Sequence, residues 1–434
     1  MFMPPIEDHP LRFALNNELH ARPSPLIPVP STAVFMALMP VDNAAARDRS
    51  KDRSHLLALL DRFGAGHPAP EAKHHACTLG RHGVKWENHA EFTTWIAFEK
   101  GVSDRPFDPA AFDIFPAQWL SDAPGARITS ISFRVDVMPM KDAALDAKAL
   151  RERLNEWFVA ESLAAVTVLG GAAVVASDFR IDPAGHIRMA VFAHPETGLR
   201  RVGRIVQRLC EIETYKAISM LGLDCARNVS REMSVLDERL TELVSEMASG
   251  EQRADEALDA LMVLSAALEK LEAGASFRFG ATRAYEAIVL DRVGVLREAR
   301  FEGRQTLAEF MRRRYDPAMR TVKAAQNRLA VLSERATRAG RMLSTQVEVA
   351  RSAQNQSLLQ SMDRRADLQL RLQHTVEGLS VVAISYYAIG LLSNLALPFA
   401  TPLGLGKPGV MALLTPLVIG GVWLALRRIR ARLH

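Results

Sequence analysis

The sequence contains little cysteine and little lysine, and both scarcities narrow the range of functions. Cys77, Cys210 and Cys225 are too few and too widely separated for a disulfide framework or a cysteine-ligated zinc site, and they fit a reducing compartment. Only ten of the 54 basic residues are lysine, the net charge is a modest +5, and basic and acidic residues interleave over most of the chain. This pattern is typical of solvated helical surfaces, so we expect no nucleic-acid partner.

Recognisable catalytic motifs are also missing. The sequence has no P-loop, no Gly-x-Ser-x-Gly nucleophile elbow and no DNA-binding helix-turn-helix signature. Residues 1–10 contain Glu7 and Asp8 and no apolar core, which does not match a signal peptide. We therefore expect a protein that is not an enzyme and whose main body lies in the cytoplasm.

Apolar residues are concentrated near the C-terminus. The uncharged run 379–397 is long enough, at about 1.5 Å per residue, to cross a hydrocarbon core of roughly 30 Å. Pro398 and Pro402 predict a break, and a second uncharged run covers residues 409–426. Residues 377–434 are thus predicted to form a two-helix transmembrane hairpin with a basic tail, although a hairpin buried in a soluble core is an alternative.

Basic residues near the two runs predict the orientation of the hairpin. Arginines precede the first run and follow the second, at positions 364, 365, 371, 427, 428, 430 and 432. The connecting loop offers only Lys407. The positive-inside rule then predicts that both termini are cytoplasmic and that the partner of this segment is the lipid bilayer.

The rest of the chain divides by pattern into a mixed part and a helical part. Residues 1–195 contain short apolar or alternating runs between turn residues, which predicts an α+β cytoplasmic domain with a largely antiparallel sheet. Residues 196–316 are rich in Ala, Leu, Arg and Glu and predict a helical domain. The strands are expected near 33–39, 76–81, 91–99, 128–138, 172–180 and 185–194.

A long stalk helix is predicted over residues 317–376. Pro317 lies in its first turn, where proline is tolerated, and no other proline follows before the apolar run. From Leu329 to Ala350 apolar residues recur at spacings of three and four, which is typical of a coiled-coil seam. At about 1.5 Å per residue the segment would extend roughly 90 Å. We therefore expect a stalk that leads into the first membrane span and assembles a homo-oligomer.

Histidine and acidic residues are densest in and around residues 67–91. If the segment 83–92 is a strand, alternation places Glu87, His89 and Glu91 on one face. Together with His74 or His75 from a neighbouring strand, these side chains are ligands for Zn²⁺ or another divalent ion. The spacing lacks a metalloprotease-type motif, so the alternative is the solvated face of a half-buried strand, and the cofactor stays unknown.

A second polar motif lies near the N-terminus. Its members are His9, Arg12, Glu18, His20 and Arg22. On a helix that begins near Pro10, these side chains can form a polar docking face or an anion pocket through the two arginines and His20. The alternative is that they tie an N-terminal helix to the domain.

Three segments resemble an uncharacterised bacterial family described only as membrane-anchored. They are HPLRFALNNELHARP at residues 9–23, KWENHAEF at 85–92 and EGLSVVAISYYAIGLL at 377–392. The resemblance extends over nearly the whole chain. It implies a location in the bacterial inner membrane and supplies no activity.

The order of parts also resembles the CorA-type divalent-cation channels, in which an α/β cytoplasmic domain precedes a stalk helix and a two-helix hairpin. That resemblance implies a pore lined by the first span, with Ser385, Tyr386, Ser393 and Asn394 as the matching polar residues here. The Gly-Met-Asn motif of that family is absent, and Leu392-Ser393-Asn394 is the nearest equivalent. No acidic residue between 378 and 426 is present to concentrate cations.

Three functions are therefore weighed from the sequence. The leading one is a membrane-anchored oligomer with a binding or scaffold role. The second is a divergent CorA-like cation channel, and the third is a metal-dependent enzyme centred on the histidine-rich strands.

Overall fold

A computed structural model describes residues 6–13, 15–16, 23–142, 144–249, 253–400 and 406–433. The chain forms two compact units. One comprises Met1–Ser249 with Ala260–Arg338, and the other comprises Gly250–Asp259 with Ala339–His434.

The first unit is built on a mixed β-sheet. The strands are β1 (Ser31–Met39), β2 (His74–Leu79), β3 (His82–Asn88), β4 (Thr93–Lys100), β5 (Ala126–Val137), β6 (Met140–Lys141), β7 (Ala144–Leu145), β8 (Ala164–Val168), β9 (Ala173–Ile181), β10 (Ile187–Ala193) and β11 (Ala299–Arg300). Nine of the described strands form one sheet in the order β11-β8-β9-β10-β5-β1-β4-β3-β2, and β6 pairs with β7. Only β10 and β5 pair in parallel within this sheet, so the prediction of a largely antiparallel sheet is confirmed.

The helices follow the same chain order. They are α1 (Arg49–Arg62), α2 (Ala117–Ser121), α3 (Ala147–Trp157), α4 (Leu199–Ser249), α5 (Ala254–Val295), α6 (Leu307–Phe310), α7 (Asp316–Ala400) and α8 (Lys407–Leu433). An α/β sheet domain followed by long helices is thus the architecture of the chain, as the sequence predicts.

One face of the sheet packs against the short helices. Val34 and Met36 of β1, with Trp86 and Trp95 of β3 and β4, form a hydrophobic core with the apolar side of α1 and the aromatic residues around α2. Trp86 and Trp95 are directly opposite each other in the β3–β4 pair, and each is 1% exposed. A second core on β9 and β10 receives Leu150 from α3. Strand β1 is buried on both faces, because α4 packs on the opposite side of the sheet against β5.

The helical part differs from the sequence prediction after Val295. Residues 196–316 were predicted to be a helical domain, but α5 ends at Val295 and β11 returns to pair with β8. The Glu298 carboxylate accepts hydrogen bonds from the backbone N–H groups of Leu307 and Ala308 at 3.0 and 2.8 Å. These bonds satisfy N–H groups at the start of α6 that the helix itself leaves unpaired. They therefore stabilise the start of a new helix after the chain has left α5.

The first part of the predicted stalk belongs to the core of the first unit. Leu329, Leu332 and Ala336 of α7 are each 2% exposed. Lys323 lies 2.8 Å from Glu286 of α5, and Arg335 lies 2.7 Å from Asp237 of α4. The stalk was predicted to begin at residue 317, and the part of α7 that contains these residues packs within the first unit.

The second unit contains the rest of α7 and the whole of α8. Each has an apolar stretch long enough to cross a membrane, which agrees with the two predicted runs. The predicted break at Pro398 is wrong, since α7 continues through it to Ala400. Pro402 lies outside the described residues, and Pro416 is likewise within α8. Proline removes one backbone hydrogen bond, and a helix tolerates this loss where the surroundings satisfy the freed group.

Candidate functional site

The KWENHAEF segment is a strand, a turn and the approach to the next strand. Strand β3 ends at Asn88 and β4 begins at Thr93. Trp86 lies in the core on the side of α1. Because successive side chains of a strand alternate, Lys85 and Glu87 are on the opposite face, where α4 packs. Lys85 and Glu87 therefore face the buried interface between the sheet and α4.

Arg47 holds the turn between β3 and β4. Its side chain is 3% exposed and forms an ion pair with Asp52 of α1. The guanidinium also donates hydrogen bonds to the carbonyl oxygens of His89 at 2.7 Å and Phe92 at 3.1 Å, and to the side-chain oxygen of Asn88. The Phe92 carbonyl also accepts the backbone N–H of His89 at 2.9 Å, so the Arg47 bonds reinforce a turn that the backbone itself closes.

Glu91 ties the same turn to α5. The carboxylate is buried, at 2% exposure, and accepts hydrogen bonds from Arg278 Nη2 at 2.8 Å and from the Tyr285 hydroxyl at 2.6 Å. Burial, together with the hydrogen bond to Glu91, raises the pKa of Tyr285 well above its ordinary value, so the phenol stays protonated and remains the donor. Glu91 is a structural anchor of the turn.

A partly open cavity of about 190 Å³ lies between the sheet and α4. On the sheet side, cross-strand neighbours contribute its wall, since Ile96 is opposite both Phe35 and Lys85 and Thr94 is opposite Glu87. On the helix side the wall is one stripe of α4, at spacings of three and four, formed by Gln207, Cys210, Glu211 and Thr214. Pro25, His89, Phe92, Tyr215 and Arg292 complete the lining.

Two buried polar atoms in this cavity lack hydrogen-bond partners among the described residues. Lys85 Nζ lies 3.2 Å from Glu87 Oε1 as an ion pair, but no described group accepts a hydrogen bond from it. Gln207 donates through Nε2 to Glu211 at 3.0 Å, while its Oε1 accepts none. Because burying polar groups without partners costs free energy, such atoms indicate a place where a ligand or water completes the site.

The cavity also contains an unreactive thiol and a stacked histidine. Burial raises the pKa of the Cys210 thiol well above its ordinary value, and nearby Glu211 adds to the effect. A protonated buried thiol is a poor nucleophile, so the geometry favours binding over thiol chemistry. The His89 ring stacks on Phe92 with centroids 4.4 Å apart, and its Nε2 is 3.4 Å from Thr94 Oγ1.

The predicted metal ligands lie near one another, but their side chains do not form one donor set. His74 is opposite Glu87 and His75 is opposite Trp86 in the β2–β3 pair. Burial lowers the pKa of His75, which favours its neutral form. Because β3 ends at Asn88, Glu91 is not on the face of Glu87, and its carboxylate is bound to α5. In the parts of the chain that are described, no group of three or more His, Cys, Asp or Glu side chains is arranged to hold a metal ion.

The N-terminal motif is described only in part. Arg12 pairs with Asp8 one turn away, and His9 Nδ1 accepts the backbone N–H of Leu11 at 3.2 Å, which are local contacts. Glu18, His20 and Arg22 lie outside the described residues.

The four residues considered for a pore divide into two pairs. Ser385 and Ser393 are buried, at 4% and 0% exposure, and their hydroxyls have no partner among the described residues. Tyr386 and Asn394 are exposed, Tyr386 at 74%.

Sequence reasoning missed Lys85, Arg47 and the α4 stripe. Lys85 lies two positions before Glu87 in β3, so strand alternation could have placed both side chains on the same face. The stripe from Gln207 to Thr214 gave no signal, because sequence alone does not say which strand a helix will cover. Gly203 of α4 also gave no signal in the sequence. A Cβ at this position would lie 1.7 Å from the Pro25 carbonyl oxygen, so the glycine allows the close approach that brings Pro25 to the cavity.

Comparison with known proteins identifies the family. Residues 7–433 match a family described as "Protein of unknown function (DUF3422)", so the chain belongs to this family. No curated protein and no solved structure matches the chain.

Replacing Arg278 with Ala should destabilise the first unit by about 3 kcal/mol, because it leaves the buried Glu91 carboxylate without its cation. Denaturant unfolding followed by tryptophan fluorescence measures the change, since Trp86 and Trp95 lie in the adjacent core. The matched control is Arg283→Ala, an exposed arginine on the same helix, which should stay within about 0.5 kcal/mol. Equal stability of the two variants would refute the role of Glu91 as an anchor.

Proposed function

We propose that this member of the DUF3422 family is a membrane-anchored, homo-oligomeric binding protein without enzymatic activity, whose α/β unit faces the cytoplasm of a bacterial cell. The observation that supports it most directly lies in α7. All residues from 351 to 376 are exposed, and the apolar stretch follows without a break in the helix. A helix without intrachain packing that continues into an apolar stretch fits a stalk better than the core of a soluble domain.

The exposure of the apolar stretches supports the membrane anchor. Only 11% of the residues in each apolar window are buried, whereas a core helix of a soluble protein is mostly buried. Leu391, Leu395, Leu413 and Leu417 are each 67 to 74% exposed. In water such contiguous apolar surface is unfavourable, and in lipid it is not. Trp423, with the Arg427 guanidinium 5.3 Å from its ring, has the composition of an interfacial anchor.

The exposed part of α7 supports assembly with further copies of the chain. Leu358, Leu359, Met362, Leu368 and Leu372 are 54 to 68% exposed. Large apolar side chains are unfavourable in water, and packing them against another apolar face removes them from it. A second copy of the same helix supplies such a face, with Leu358 and Met362 at the spacing of a coiled-coil seam.

A divergent cation channel is the second candidate function, and the exposure of Asn394 favours it. Asn394 is an exposed polar residue within the apolar stretch. A polar side chain that faces lipid is costly, so in an oligomer it would face other copies or an aqueous path. The likeness to CorA-type channels is otherwise one of architecture.

The topology is tested with cysteines labelled by a membrane-impermeant maleimide in spheroplasts. Lys407→Cys, at the first residue of α8 and between the two apolar stretches, should be labelled from outside. Gln356→Cys, in the exposed part of α7, should be labelled only after the membrane is permeabilised, as should the partly exposed native Cys77 and Cys225. Labelling of Gln356→Cys in intact spheroplasts, or recovery of the wild type in the soluble fraction, would contradict the proposed anchor.

The oligomer is tested with paired substitutions four residues apart. Leu358→Glu with Met362→Glu should lower the mass of the detergent-solubilised full chain, measured by light scattering, because four charges per dimer would enter the seam. Gln356→Glu with Gln360→Glu adds the same charge at polar positions and should leave the mass unchanged. A wild type that is monomeric in detergent and in native membranes after crosslinking would exclude the oligomer.

The channel is tested by divalent-cation flux into liposomes that contain the purified full chain. If the protein conducts, Asn394→Ala should change the rate at least severalfold, while Ser361→Ala, outside the apolar stretch, should not. Absence of flux from a verified oligomer would eliminate this second candidate and leave the first.

A further inference from the structure

We propose that the cavity under α4 binds a small zwitterion of amino-acid type, with a carboxylate, an ammonium group and a short apolar side chain. This inference rests on the binding role proposed above, but not on the membrane anchor or the oligomer. It is drawn from four properties of the cavity, namely its unpaired polar atoms, its charge, its apolar wall and its volume.

The two unpaired atoms are of opposite type. Lys85 is 5% exposed, and its ammonium has N–H groups that no described residue accepts. Gln207 Oε1 is a buried acceptor to which no residue in the described part of the chain donates. A ligand that satisfies both must accept hydrogen bonds at one end and donate them at the other. A carboxylate directed at Lys85 and an ammonium directed at Gln207 meet this requirement.

The charge of the lining selects a ligand that is neutral overall. Lys85 and Arg292 are balanced by Glu87 and Glu211, and each cation is ion-paired with one of these carboxylates. The lining therefore carries no net charge, and a simple anion or a simple cation would add a buried charge that no further group of the lining compensates. A zwitterion adds none, because its carboxylate and its ammonium compensate each other.

The size and the walls limit the ligand further. A cavity of about 150 Å³ holds benzene, so about 190 Å³ admits roughly eight non-hydrogen atoms. Phe35 and Ile96 form an apolar part of the wall that suits a branched aliphatic group. His89, Phe92 and Tyr215 line both this cavity and a neighbouring pocket of about 240 Å³, so the two adjoin at these side chains.

The experiment uses the full chain in detergent and three probes that differ in one group each. L-Valine has both charged groups, 3-methylbutanoate lacks the ammonium, and 2-methylpropan-1-amine lacks the carboxylate. By calorimetric titration L-valine should bind at least tenfold more tightly than either analogue. An analogue that binds as tightly as L-valine, or no binding of L-valine at 10 mM (about tenfold above the roughly 1 mM upper end of ordinary enzyme KM values), would overturn the proposal.

Two substitutions assign each end of the ligand. Lys85→Met should weaken L-valine and 3-methylbutanoate by roughly tenfold to a hundredfold and leave the amine unchanged, because it removes a charged hydrogen-bond donor. Gln207→Met should weaken L-valine and the amine but not 3-methylbutanoate. Glu238→Met, at an exposed position of α4, should change none of them. The proposal would be contradicted if Lys85→Met weakened binding of the amine and Gln207→Met weakened binding of 3-methylbutanoate. An equal loss of affinity for all three probes in variants that fold would also contradict it.

A measurement on the wild type keeps the proposal testable if Lys85→Met does not fold. L-Valine at about 10 mM should raise the thermal unfolding midpoint of the wild-type full chain in detergent by a few degrees, because a ligand that binds only the folded state stabilises it. 3-Methylbutanoate and 2-methylpropan-1-amine at the same concentration should raise the midpoint less. An unfolding midpoint unchanged by L-valine would overturn the proposal. Because fractionation and light scattering test the anchor and the oligomer separately, failure here leaves those results intact.

Discussion

The burial of charged side chains under α4 and α5 is the constraint on which the rest of the first unit depends. Strand β3 places Trp86 in an apolar core and thereby directs Lys85 and Glu87 to the other face, which long helices cover. A buried charge without a partner costs several kcal/mol, so each must be paired. Glu91 is paired with Arg278 and Tyr285, and Asp52 is paired with Arg47. Lys85 is paired only with Glu87, and incompletely.

The complete pairing of Glu91 and Asp52 and the incomplete pairing of Lys85 indicate different roles for these residues, structural for the first two and ligand binding for the third. The hydrogen bonds of Arg47 and Glu91 fix the turn between β3 and β4 from both sides, so the positions of Lys85 and Glu87 are set before any ligand is present. Preorganised polar groups bind a ligand with little further loss of entropy. Buried atoms without a described hydrogen-bond partner also occur in the packed core, at Trp86 Nε1 and Trp95 Nε1, so the lack of a partner alone does not mark a binding group. Lys85 Nζ and Gln207 Oε1 differ from these because their residues line a cavity with room for a ligand.

The sequence predicted the elements whose signal is local. The alternation of apolar residues in β1, β5, β9 and β10, the helical composition after residue 198 and the two uncharged stretches all correspond to observed elements. It failed where the outcome depends on distant partners. The return of the chain after Val295 depends on pairing of β11 with β8, and the assignment of Glu91 to a metal failed to anticipate Arg278, which is 187 positions away.

The exposed part of α7 poses the remaining physical question, which is whether a helix without contacts can persist alone. Nucleation is the costly step of helix formation, while extension of an existing helix is nearly neutral per residue. Leu329 and Leu332 fix the earlier turns in the core of the first unit, and the apolar stretch beyond residue 378 is a helix that lipid would stabilise. The helix between them is thus extended from both sides and needs no partner in order to exist. The large exposed side chains from Leu358 to Leu372 do need an explanation, because a solvated spacer is stable with polar residues alone. Their presence, rather than the helicity of the segment, is what favours assembly with further copies.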